Sequence, residues 1–357
     1  MASSVGTLSL FWPVFVPTGA AAIAYAGHCA YYVDWPAVVL DFLTGPGRTS
    51  RILLVLFLIL NWKSLPLAWT VRVFHAFFYH ILRRNASTPP LPPRALFHYS
   101  ISSSRTSMLE TDYNLHKSNS TYFADLDVSR SHLVTPLLGP AMPKLGDNAT
   151  NRLILDKDGK LVKGGFGIGL GAVFCSFRKE ISPLQGYEMW SRVLSWDRKW
   201  LYIVTHFIVK GKVRPTSWDG KKMGPLRSKV VKAKAKGHAN GTAVVEEKSL
   251  SKYVFATAMS KYVFKLGRFT VHPAIVIEAN GLLPERPGGW RGAEDECGGM
   301  EDLGPVDESD GAEWDWKRVE KARREGLVFA KNFAALDGTN DLFDGGEDGA
   351  IGSWPLG

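Results

Sequence analysis

Hydrophobic and polar positions fall into blocks of different period along the chain. Residues 10–33 run 24 positions without a formal charge, long enough as a helix to cross a bilayer core of roughly 30 Å. Pro13 and Pro17 weaken the first turns, so the usable helix starts near Thr18. A second run, residues 52–60, is intensely apolar but short. Asn61, Trp62 and Lys63 follow, then a further apolar run, residues 65–82, interrupted by Arg72, His75 and His80. The pattern predicts one or two membrane helices within residues 1–84. A signal peptide is the competing reading, but no base precedes the first segment. A buried core helix competes for the second run.

Residues 85–95 form a Pro-rich, extended linker. Beyond it the period changes to two. Residues 96–108 read as a strand with Phe97, Tyr99 and Ile101 on one face. A polar loop, residues 110–118, precedes a helix over 119–134, with Ser118 as N-cap and Tyr122, Phe123, Leu126 and Leu133 as its apolar stripe. Pro136 and Gly139 are expected to stop it. Strands follow at 164–178, 187–196, 200–209 and 251–264, the middle pair joined by the short Trp196-Asp197-Arg198-Lys199 connection. One helix among several antiparallel strands is an α+β arrangement in which a long sheet can wrap the helix. The expected organisation is a hydrophobic region 1–84, the linker, a folded domain 96–283 with a basic insertion at 210–250, and an extension 284–357 with one helix near 314–332.

Charge sharpens these boundaries. The net charge is +9, yet residues 285–357 hold 18 Asp and Glu against 8 Lys and Arg. Residues 210–236 hold ten bases and one acid, Asp219. That run reads as a solvated loop, with anionic lipid or a phosphate-bearing carrier as a second reading; it lacks the interleaved aromatics of a nucleic-acid site. Cys29, Cys175 and Cys297 are too scattered for a disulfide framework or a thiolate zinc site. No metal or cofactor is expected. Lys63, Arg72, Arg83 and Arg84 favour a cytosolic folded domain by the positive-inside tendency, against the sequons at Asn85, Asn119, Asn148 and Asn240.

Candidate chemistry lies where the loop meets the helix: Asp112-Tyr113-Asn114-Leu115-His116-Lys117-Ser118-Asn119-Ser120-Thr121-Tyr122. Unpaired N–H groups at a helix start can hold a carbonyl oxygen as it gains negative charge. A carboxylate beside them can attack an activated carbonyl or deprotonate a water. On spacing alone, an acid at this place is also what a helix cap looks like.

The stretch resembles the D-x-x-x-H-x-N-N-x-x-Y signature of 4-hydroxybenzoyl-CoA-thioesterase-like hotdog proteins. Residues 170–184 and 187–209 are similar to the strands after the central helix in THEM-type relatives. Lys63-Ser64-Leu65-Pro66 echoes an element of the fungal membrane-associated branch. The resemblance covers about residues 60–280. It implies a hotdog fold, a homodimer, and hydrolysis of acyl-CoA or of acyl or polyketide chains on a carrier protein, with a role in secondary metabolism. It makes Asp112 the catalytic acid, nucleophile or general base. Ser118 and Asn119 mark the oxyanion site at the helix start, His116 orders the loop, and Tyr122 lies in the core or on substrate. Ser118 stands where the signature has its first asparagine. Glu110 is a second acid for the same role.

Other readings are weaker. A hotdog hydratase loop, D-x-N-P-x-H, lacks its proline here and is one residue short. The glycines of residues 165–171 recur at every second position without a βαβ frame, which favours a bend in a strand over a dinucleotide loop. His75 and His80 lie outside any acid pattern that suggests a metal. A membrane-anchored acyl-binding scaffold that has lost turnover is the alternative to the hydrolase.

Overall fold

Asp34 opens the first described helix, α1 (Trp35–Thr44), its Oδ1 accepting from the Ala37 N–H at 3.2 Å. Helix α2 (Arg48–Asn61) follows, and its Leu and Ile side chains are almost all exposed. The buried residue of α2 is Asn61, which donates to Phe57 O at 2.9 Å and accepts from the Leu109 N–H at 2.8 Å. The structure, a computed structural model, describes residues 25, 27–29, 31–82, 90–156, 158–215, 231–232, 250–291, 300–307 and 314–342. Two compact units result: residues 1–68 with 107–109, and residues 69–106 with 110–357. The division falls inside the apolar run 65–82, not at residue 84, and the acidic extension belongs to the second unit.

The expected spans are not found as single helices. At 14 residues, α2 reaches only about 21 Å. No described helix is long and apolar enough to cross a membrane; α1 and Arg48–Ser64 pass that test only together, bent by 106°. Most of the 10–33 segment lies outside the described residues.

In the second unit, helix α3 (Ala68–Leu82) precedes β1 (Ser100–Arg105), α4 (Thr121–Leu138), β2 (Phe166–Phe177), β3 (Gly186–Trp196), β4 (Trp200–Val209), β5 (Val254–Leu266) and β6 (Phe269–Val271). The sheet is antiparallel, in the order β1-β3-β4-β5-β2 with β6 on β5. It curls around α4. This is the hotdog arrangement, a long sheet wrapped on one helix.

Helix α4 runs four residues past the expected end. Pro136 has no N–H for the His132 carbonyl, but Ser100 Oγ of β1 donates to it at 3.1 Å, so the proline is tolerated inside the helix. The buried stripe is Tyr122, Leu126, Leu133 and Leu137; Phe123 is exposed, one position off the 3.6-residue period. Between these apolar positions the stripe is polar. Ser129 Oγ meets Ser191 Oγ at 2.8 Å, and Ser191 meets Thr205 Oγ1 at 2.7 Å, a buried hydroxyl chain from helix to sheet. The expected strand 96–108 shortens to β1, because Pro93–Phe97 forms a 3₁₀ turn that buries Phe97 against Trp196.

The glycine run of β2 holds a bulge at Gly171, where a Cβ would sit 2.4 Å from the Trp200 indole. Asp197 fixes the β3–β4 turn: its Oδ1 accepts from Lys199 and Trp200 N–H at 2.7 Å, and its Oδ2 from Tyr202 OH at 2.7 Å.

The extension is no mere appendage. Helix α5 (Trp316–Ala335), capped by Asp315, lays Leu327, Ala330 and Phe333 on Leu194, Tyr202 and Val204 of the sheet's outer face. Gly326 permits the approach: a Cβ there would lie 2.0 Å from Leu194 O. Fully buried Glu320 accepts from Arg323 and Arg324 at 2.8 Å and from Arg286 at 3.2 Å. The insertion 210–250 lies mostly outside the described residues, as does Cys297.

Candidate active site

Residues 110–118 form a small hairpin in front of α4. The Ser118 N–H donates to Glu110 O at 2.7 Å, Thr111 bridges Lys117, and the Asp112 N–H donates to His116 O at 2.9 Å. Leu115, at φ +60°, turns the tip, where Tyr113 and Leu115 are exposed. Asp112 is partly exposed at the neck of this turn. Its Oδ1 accepts from the Asn114 N–H at 2.9 Å and the His116 N–H at 3.4 Å, while Oδ2 has no partner among the described residues. The carboxylate is thus oriented by its own loop, with one oxygen left to act outward.

The helix start is built from the next residues. The Thr121 N–H and hydroxyl both donate to Ser118 O, at 3.0 and 2.7 Å, and the Tyr122 and Phe123 amides close onto Asn119 and Ser120 carbonyls at 3.4 Å. The Asn119 and Ser120 N–H groups have no partner among the described residues. Ser118 does not cap the helix with its side chain; Ser120 holds the N-cap position, also without a side-chain bond. Ser118 acts through its backbone, which a serine performs as well as an asparagine. His116 ties the hairpin to the end of β2, with Nε2 3.1 Å from Glu180 Oε2. Tyr122 is buried between Phe177 and Phe207, and burial, then Cys175 and Asp125, raise its phenol well above the usual range.

Beneath the hairpin lies a buried charge cluster that the loop motif does not announce. Asp125 of α4 is fully buried; its Oδ1 accepts from Arg72 Nη2 at 2.8 Å and its Oδ2 from the Tyr187 hydroxyl. Lys117 Nζ forms ion pairs at 3.0 Å with Asp125 Oδ2 and 3.3 Å with Glu110 Oε1, and lies over the Tyr122 and Tyr187 rings. Burial, reinforced by Asp125 and Glu110, keeps Tyr187 protonated. Glu110 is thereby engaged with Lys117 rather than open to substrate. The signal was present in sequence: an acid three residues after Tyr122, on the buried stripe, demands a cation. Which cation was not readable.

Among the described residues, no group of three or more His, Cys, Asp or Glu is arranged to hold a metal. His75, His80 and His132 do cluster, with His80 Nε2 3.1 Å from His132 Nδ1.

Comparison with known proteins bears on the family. Residues 106–239 match the thioesterase-like superfamily. The chain is 34% identical to the probable thioesterase atnL of Emericella nidulans over 332 residues, 90% of this chain and 94% of that protein. It is 36% identical to thioesterase poxG of Penicillium oxalicum, over 79% of this chain and 82% of that one. Among solved structures, the gentisyl-coenzyme A thioesterase BH1999 aligns over 51% of this chain and 99% of its own, at 14% identity and a TM-score of 0.29. The two fungal relatives define the class: the chain belongs to the thioesterase-like superfamily and is a thioester hydrolase.

Proposed function

We propose that the protein hydrolyses acyl-CoA or an acyl or polyketide chain on a carrier protein, with Asp112 as nucleophile or general base. The observation that carries this is the Asp112 carboxylate, oriented through Oδ1, in the hairpin that leads into a helix start; among the described residues its Oδ2 and the Asn119 and Ser120 amides have no partner. The amides near Asn119 take the carbonyl oxygen as the tetrahedral centre forms. Water supplies the hydroxyl of the acid product, and the thiol leaves with little assistance because a thiolate is a weak base. His116 and Ser118 order the hairpin.

A biosynthetic role in secondary metabolism fits the similarity to fungal thioesterases. A homodimer fits β2, which among the described residues is an edge strand paired with β5 alone and can accept a strand from a second copy. Membrane attachment is supported by the exposed Leu and Ile side chains of α2. The cytosolic placement of the second unit rests on Arg83 and Arg84, since Arg72 is engaged with Asp125.

The test is hydrolysis by the full chain in detergent, on acyl-CoA thioesters of graded chain length. Turnover by the native chain and its loss in Asp112→Asn, with the fold intact by circular dichroism, is expected. Turnover that survives the substitution refutes the assignment. Acyl binding without turnover in the native chain returns the scaffold reading.

A further inference from the structure

Helix α3 has its polarity reversed relative to a surface helix of a water-soluble domain. Its inward stripe is polar: the Trp69 indole N–H donates to Asp127 Oδ2 at 3.2 Å, Arg72 to Asp125, and His80 pairs with His132, around fully buried Ala76. Its outward stripe is apolar apart from exposed His75, with Val71, Phe74, Phe78 and Ile81 at 62, 46, 49 and 60% exposure. These four positions recur at three and four residues, so they form one continuous face. A soluble domain places such a face inward; here the inward side is already bonded to α4.

We infer that α3 lies in the plane of a bilayer surface, with its Val71–Phe74–Phe78–Ile81 stripe set among the upper acyl chains. This rests on the membrane attachment proposed above and specifies its contact. Three observations choose a lipid over a second copy of the chain. At 15 residues the helix is about 22 Å long, too short to cross the hydrocarbon core, and its inward polar stripe is held by the protein. Residues 42–109 contain eight Lys and Arg and no Asp or Glu, which suits anionic headgroups and disfavours self-association. Residues 62–67 alone separate α3 from α2, whose exposed surface is also apolar. The Asp125 carboxylate that holds Arg72 also holds Lys117 of the Asp112 hairpin. Through Asp125, α3 and the hairpin are tied to the same buried charge cluster.

The experiment places a fluorophore at Phe74→Cys in the full chain lacking its native cysteines, and a matching one at Arg198→Cys in the exposed β3–β4 turn. Vesicles of phosphatidylcholine with phosphatidylserine carry a nitroxide either near the headgroup or deep in the acyl chain. The stripe position should blue-shift and be quenched roughly twofold more by the shallow nitroxide than by the deep one, with the turn position unaffected. Stronger quenching by the deep nitroxide means a crossing helix, and no response to vesicles means no lipid contact. A blue shift without vesicles that tracks dimer formation means a second copy covers the face. Each of these overturns the inference. The hydrolase assignment fails separately, by turnover that survives Asp112→Asn.

Discussion

Lys117 and Asp125 lie 3.0 Å apart with both side chains fully buried, one in the Asp112 hairpin and the other on the central helix. Asp125 also accepts from Arg72 and Tyr187, so it is the common anion of two cations and a phenol. Removing it leaves Arg72 without its acid and Lys117 with Glu110 alone, whereas removing Lys117 leaves Asp125 with Arg72 and Tyr187. Asp125→Ala should therefore cost about 3–5 kcal/mol of stability, and Lys117→Met about half of that or less. Denaturant unfolding in detergent measures both; equal losses would contradict the shared-anion arrangement.

The helix-start amide can be removed without disturbing the turn. The Thr121 N–H to Ser118 O bond makes Asn119 the second residue of a four-residue turn, a position proline favours. Asn119→Pro should lower kcat about 10²–10³-fold, the usual effect of losing one oxyanion donor. Asn119→Ala, which keeps the N–H, should retain nearly all turnover. If both variants behave alike in steady-state assays, the amide is not the oxyanion donor.

Gly326 tests the packing of α5. Alanine is the better helix former by about 1 kcal/mol, but its Cβ would meet Leu194 O at 2.0 Å. Gly326→Ala should lower stability by about 3 kcal/mol or more, seen as a fall in melting temperature. Gly338→Ala, with open space around its Cβ, should leave that temperature nearly unchanged.

Two half-buried histidines set an acid limit. Burial holds His132 down to about 4, helped by His80, His75 and Arg72. Burial, then Arg192, holds His206 near the same value. In the unfolded chain each titrates near 6.5, so between those values the unfolded state binds more protons. Stability is therefore full above about pH 6.5 and declines as pH falls toward 4, by up to roughly 2–3 kcal/mol per histidine. Unfolding free energies from pH 7.5 to 4.5 should show this slope, and His206→Asn should flatten part of it. An unchanged slope in that variant excludes His206 as a source.

The strands 187–196 and 200–209 and their turn were legible because period two and an Asp-containing connection are local properties of the chain. The Asp112 hairpin was legible only by resemblance, since an acid before a helix has the same spacing whether it caps or reacts. Phe123 and Pro136 misled for opposite reasons. Phe123 is apolar but off the buried period, and Pro136 breaks a helix only where the freed carbonyl finds no other donor, which Ser100 supplies from 36 residues upstream.

Sequence by itself determined the central helix, the main strands and their order, because these depend on neighbours a few residues apart. Tertiary structure alone decided that Asp125 pairs with Lys117 and with Arg72, 53 residues away, that Glu110 is engaged, and that α5 covers the sheet. Burial removes the water that would otherwise solvate each charge, so its partner is whichever opposite charge the fold brings within a few ångströms, and that choice is fixed by sheet register and helix packing.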